Sequence, residues 1–211
     1  MSETLMKKPE GPYAEELKTI ATLVHPKEED ITSRQVFLGE KTKKYTLFFD
    51  LDETLVCARG NLNEDKTEES ADFLVKVRPM ASELIANLSK KYEIAIFTAG
   101  SEEYAQKIVS GYIDPDREYI KAIVSQKHCV PNVGGVYVKD LRVIADRKIE
   151  EMLIVDNSIV SFAFQLANGI PVSPYCGDDD EMELLYLEEY LLDLCKEDDI
   201  LKANRENIGL L

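Results

Sequence analysis

Three short apolar runs punctuate the chain: "YTLFF" at residues 45–49, "EIAIF" at 93–97 and "EMLIV" at 151–155. Each is rich in β-formers and shows no polar alternation, the pattern of strands buried on both faces of a parallel sheet. Helical periodicity fills the spaces between them. Pro79 suits the first turn of a helix, and Ala81, Leu84, Ile85 and Leu88 mark one face of it. Ser101 can cap a second helix, with Glu102 and Glu103 favouring its positive end and Tyr104, Ala105, Ile108, Val109 and Tyr112 at helical spacing. The segment "DDDEMELLYLEEYLLDL" carries Leu184, Leu187, Leu191 and Leu194 along one stripe, and its acidic opening reads as a helix start rather than a metal site. Strands alternating with helices predict an α/β fold with a mainly parallel sheet. Residues 1–43 are polar and mixed, broken by Pro9, Pro12 and Pro26, with "AEELKTIATLV" as one short helical stretch. The expected organisation is an N-terminal arm over 1–43 and a single domain over 44–211.

Composition narrows the function classes. The chain has 211 residues and a formal charge of −15. Such a surface repels phosphate backbones, so nucleic-acid binding by charge is excluded as an expectation. A phosphorylated substrate is repelled too, so a site for one must gather its own positive charge. Cys57, Cys129, Cys176 and Cys195 form no C-x-x-C pair and there are two histidines, which argues against zinc. The cysteines read as reduced thiols. No membrane-spanning run or signal-peptide core is visible, and the expected location is nuclear or cytoplasmic.

Each apolar run ends in a residue capable of chemistry. The first ends in Asp50, with Asp52 just beyond; the second in Thr98; the third in Asp156 and Asn157. In open α/β sheets ligands bind at the carboxyl ends of strands, so neighbouring strands would gather these groups. Singly, each acid is an ordinary turn or cap residue; together they form an oxygen-rich set suited to Mg²⁺. Asp50 is placed to attack phosphorus and Asp52 to move a proton. Lys139, after Gly134 and Gly135, is the candidate cation for the phosphoryl group.

These residues resemble the four motifs of the haloacid-dehalogenase superfamily of phosphotransferases: "DLDETLV", "FTAG", Lys139 and "VDNS". With "KVRPM", "IFTAGSEEYA", "VYVKDL" and "LIVDNS", the chain from about Tyr45 onward is similar to the small phosphatases acting on the C-terminal tail of RNA polymerase II. The resemblance implies a Rossmann-like core without a large cap domain. It implies a Mg²⁺-dependent phosphoserine/phosphothreonine protein phosphatase working through an aspartyl-phosphate. Asp50 would be the nucleophile and Asp52 the acid/base, with Thr98 and Lys139 on the phosphoryl oxygens. Asp50, the Asp52 carbonyl and Asn157 would hold Mg²⁺, with Asp156 completing the acidic patch.

Two departures bear on the substrate. The stretch "CARGNLNEDKTEESADFLVKV" is shorter and more polar than the pocket-forming insertion of the tail phosphatases, and "SQKHC" lacks an Arg before its Cys. Thr54, Arg78 and Lys127, with the 58–72 loop, are the expected substrate contacts. The gap after the first motif is too short for an independent domain, and the gap from Gly100 to Lys139 accommodates one helix, one strand and a loop. The expected partner is therefore a phosphorylated protein segment. Two other readings exist: a catalytically weak phosphoprotein-binding scaffold of the same fold, and a response-regulator receiver. Asp52 argues against the first and the D-x-D-x-T spacing against the second.

Overall fold

In the computed structural model, which describes residues 11–60 and 73–209, two short helices come first: α1 (Ala14–Ile20) and α2 (Glu28–Thr32). Strand β1 (Tyr45–Phe49) is followed by an antiparallel hairpin of β2 (Val56–Gly60) and β3 (Phe73–Val77). Helix α3 (Ala81–Leu88), β4 (Tyr92–Phe97), α4 (Glu102–Ile108) and β5 (Ile120–Val124) come next. A small hairpin, β6 (Val130–Pro131) with β7 (Tyr137–Val138), precedes β8 (Met152–Asp156) and β9 (Gly169–Pro171). Helices α5 (Glu183–Leu194) and α6 (Ile200–Ile208) end the described chain.

The central sheet is parallel, in the order β5-β4-β1-β8-β9. Its three inner strands are the three apolar runs. Every residue of β1, β4 and β8 is buried. Side chains alternate between the two faces with period two. Leu47, Phe49, Ile94, Ile96, Leu153 and Val155 join a layer with α3, α4, α5 and α6. Phe48, Ala95, Phe97, Met152 and Ile154 face the other way, toward Ile31, Leu38, Val143, Ile144 and Phe162. Fully burying a side chain such as Phe48 contributes about 1.5–3 kcal/mol.

The segment before β1 closes this second layer. Ile31 and Leu38 are buried in it, and Val36 forms a parallel bridge with Ile144. The carboxylate of Glu16 on α1 accepts from the Ser158 hydroxyl and the Ile159 N–H, both at 3.0 Å.

Several local expectations are refined. Pro79 sits before α3, not in its first turn, because Met80 takes a left-handed conformation (φ 70°) as the helix N-cap. The second helix is capped by Ser101, whose side chain accepts from the Tyr104 N–H, but after Ile108 it widens into a π-turn over Val109–Ile113. The gap from Gly100 to Lys139 holds α4, this π-turn, β5 and the β6–β7 hairpin.

Candidate active site

Because β4, β1 and β8 are neighbours, their carboxyl ends lie side by side and bring Thr98, Asp50 and Asp156 together. Asp50 stays on the sheet by donating its N–H to the Val155 carbonyl at 2.9 Å. Leu51 then packs into the core, and the chain turns through Glu53, whose φ of 58° is left-handed. Two bonds hold that turn: Glu53 N–H to the Val56 carbonyl and Tyr175 N–H to the Glu53 carbonyl, each 2.7 Å.

Lys139 is the centre of the cluster. The β6–β7 hairpin delivers it, and its N–H donates to the Ser161 carbonyl at 2.6 Å. Its Nζ lies 2.6 Å from Asp50 Oδ1 and 2.6 Å from Asp156 Oδ2, with the side chain 2% exposed. Two buried carboxyl groups share this one ammonium. Burial pushes the Asp50 carboxyl well above the usual carboxylate range; Lys139 pulls it back, and Asp156 adds to the rise. Burial alone would pull Lys139 down, but Asp156 and Asp50 outweigh it and hold the ammonium charged.

The other motif residues sit around this cluster. The Asp52 carboxylate, half-buried, accepts from the Tyr104 hydroxyl. The Thr98 hydroxyl accepts from the Gly100 N–H at 2.9 Å, which leaves its own proton to donate. Thr54 is buried. Its hydroxyl accepts from the Asn157 N–H at 3.2 Å and lies 3.4 Å from Asn157 Oδ1. Asn157 Nδ2 donates to Glu53 Oε2 at 3.1 Å, and Asp156 Oδ1 accepts from the Ser158 N–H at 2.9 Å. Thr54 therefore braces the Asn157 loop; this differs from its expected role as a substrate contact.

Arg78 corrects the expectation more sharply. Its side chain is 1% exposed. The guanidinium donates to Glu181 Oε2 at 2.8 Å, Glu181 Oε1 at 3.0 Å, Glu183 Oε2 at 3.0 Å and the Thr54 carbonyl at 3.1 Å. It ties the end of β3 to the start of α5 and has no face left for substrate. The acids read as a helix start are in part its counter-ions. Lys127 is exposed and pairs with Glu102. Of the 58–72 loop, residues 61–72 lie outside the described residues.

Two participants carried little sequence signal. By spacing Tyr104 reads as one of a helix's apolar residues; its place in "IFTAGSEEYA" and its hydroxyl, which needs a partner when buried, are the signals that could have marked it. Glu16 is an acid in a charged helix, and its bond to the 158–159 turn spans 142 residues of sequence.

The donors fit a hard cation by chemistry. The Asp50 and Asp156 carboxylates, the Asn157 amide oxygen and the Asp52 carbonyl are all oxygens, as Mg²⁺ requires. Among the described residues no group of three or more His, Cys, Asp or Glu side chains clusters as a metal site. The set here is two carboxylates completed by amide and carbonyl oxygens, with Lys139 between the carboxylates.

A parallel α/β core with a D-x-D turn, a hydroxyl and a buried ammonium at its strand ends is a haloacid-dehalogenase-like fold. The chain belongs to the NLI interacting factor-like phosphatase family, whose model matches residues 45–201. It is 35% identical over 204 residues to a CTD small phosphatase-like protein 3 of Caenorhabditis elegans, covering 90% of this chain and 70% of that one. It is 36% identical to a CTD small phosphatase-like protein 2 of Dictyostelium discoideum, covering 79% of this chain but 30% of that protein. The structure of Fcp1, an essential RNA polymerase II CTD phosphatase, superposes with a TM-score of 0.60 at 17% identity. That match covers 72% of this chain and 62% of Fcp1, and it speaks to the fold. No helix among the described residues is long and apolar enough to cross a membrane.

Proposed function

We propose that this protein is a Mg²⁺-dependent phosphoserine/phosphothreonine protein phosphatase that works through an aspartyl-phosphate on Asp50. The observation that carries the reading is the buried Lys139 ammonium, 2.6 Å from both Asp50 and Asp156 on adjacent strand ends. Family membership supports the hydrolase class.

In the first step an Asp50 oxygen attacks phosphorus and the bond from phosphorus to the serine or threonine oxygen breaks. The proton on the Asp52 carboxyl passes to that departing oxygen. In the second step water attacks the phosphorus of the aspartyl-phosphate while Asp52 takes a proton from it. The aspartyl O–P bond breaks, releasing inorganic phosphate and restoring both acids. Lys139 and Thr98 donate to the phosphoryl oxygens throughout. Asp50, the Asp52 carbonyl, Asn157 and Asp156 would hold Mg²⁺, which when bound supplies positive charge against the phosphoryl oxygens.

A protein substrate, met in the nucleus or cytoplasm, is favoured because the described residues between Gly100 and Lys139 are short elements of the core rather than a separate domain over the site. The test is release of phosphate from an aryl phosphate and from phosphoserine and phosphothreonine peptides, in Mg²⁺ and in EDTA. Turnover should need Mg²⁺ and vanish in a folded Asp50→Asn protein, whose amide is a poor nucleophile. Full activity in EDTA, or near-normal turnover by folded Asp50→Asn, overturns the mechanism. A metabolite phosphate hydrolysed far faster than every peptide overturns the substrate class. No turnover at all favours a scaffold.

A further inference from the structure

Tyr104, six residues after Thr98 in the segment "IFTAGSEEYA", bonds a reacting group without being assigned a part in the chemistry above. It stands on the first turn of α4, and its hydroxyl donates to Asp52 Oδ1. The ring is half-buried, and its hydroxyl is the donor in this bond. A second, independent observation concerns the seat of the ring. Gly100 has no side chain, and a Cβ built there would stand 2.9 Å from Tyr104 Cδ1, 3.3 Å from Thr98 Oγ1 and 3.4 Å from Tyr104 Cε1. Glycine at 100 is therefore needed for close approach. It lets the Tyr104 ring lie against the loop that carries Thr98. The capping bond from the Tyr104 N–H to Ser101 Oγ, 3.2 Å, fixes the backbone beneath the ring.

We infer that Tyr104 is a positioning residue for the acid/base: it occupies Asp52 Oδ1 and so directs proton exchange through Oδ2. This rests on the proposed role of Asp52. A carboxyl whose two oxygens are equivalent can rotate its proton away from the leaving group. With a phenol donor on Oδ1, the proton resides on the other oxygen, and the same oxygen later receives the proton of the attacking water. The tyrosine keeps its own proton in both steps. Its contribution is orientation, which matters most when the leaving oxygen needs a proton and least when it does not.

The test compares the wild type with Tyr104→Phe on a phosphoserine peptide and on an aryl phosphate with a good leaving group. Tyr104→Phe should lose about 10- to 100-fold in kcat on the peptide, within the range of positioned proton transfer, and much less on the aryl phosphate. The Mg²⁺ activation curve and thermal midpoint should stay close to wild type. In an Asp52→Asn background, the same substitution should change kcat on the peptide little. If Tyr104→Phe slows both substrates equally, or still costs its full factor without Asp52, the residue is merely structural and the inference falls. A wild type inactive on both substrates would instead remove the proposed function itself.

Discussion

At the scale of single residues, Lys139 is the group on which the site's electrostatics turn. It is the cation that allows two buried carboxylates to stand on adjacent strand ends. Lys139→Met removes the interaction that most lowers the Asp50 carboxyl and leaves burial and Asp156 pushing it up. The folded-state value then rises further above that of the unfolded chain. A group raised in this way costs nothing at low pH, where both states hold the proton, and destabilises as pH rises through the folded value. The expected penalty is about 3–5 kcal/mol near pH 8, the range for orphaning a buried charge, and clearly smaller near pH 5. Urea unfolding in EDTA at the two pH values measures it. A cost that does not change with pH would mean the carboxylates are solvated after all.

At the scale of elements, Arg78 joins the β2–β3 hairpin to α5 and, through the Thr54 carbonyl, to the turn that braces Asn157. Glu181 and Glu183 are partly exposed, so water can take over part of what Arg78→Met removes. The loss should be about 1–3 kcal/mol of stability, the usual cost of leaving buried polar groups unmet. Activity should fall through kcat, as the Asn157 loop loosens, rather than through KM. A stable Arg78→Met protein with a raised KM for peptides would return Arg78 to the role of a substrate contact. Why the sequence misplaced Arg78 follows from the same geometry: its partners lie 103 and 105 residues away, a pairing that only the folded chain creates. The three inner strands were legible because burial on both faces writes an unbroken apolar run, and the site was legible because its residues end those runs. Strand β9 has three residues and β6 and β7 two each, too short to carry a period. Tyr104 was read as an apolar helix residue because spacing reports which way a side chain faces but not what its hydroxyl meets.

At the scale of the whole molecule, charge and access decide what reaches the cluster. The chain carries −15 overall, and the "NEDKTEE" run lies in the connection between the two hairpin strands. A phosphorylated residue brings roughly −1.5 to −2 of its own. The buried ammonium acts at contact distance, whereas the surface repels phosphopeptides from further out. Basic residues flanking the phosphosite should therefore raise kcat/KM, chiefly by speeding capture, while leaving kcat nearly unchanged. The advantage should be screened by salt. At about 0.01 M ionic strength the Debye length is about 30 Å and most of the surface acts on the approaching peptide; at 1 M it is about 3 Å and little does. The ratio of kcat/KM for basic-flanked over acidic-flanked phosphopeptides should be about tenfold or more at the lower salt, the low end of electrostatic steering, and approach unity at the higher. An acidic-flank preference at low salt, or a basic preference that survives 1 M salt undiminished, would place specificity in direct side-chain contacts beside Asp50 instead of in the field of the protein.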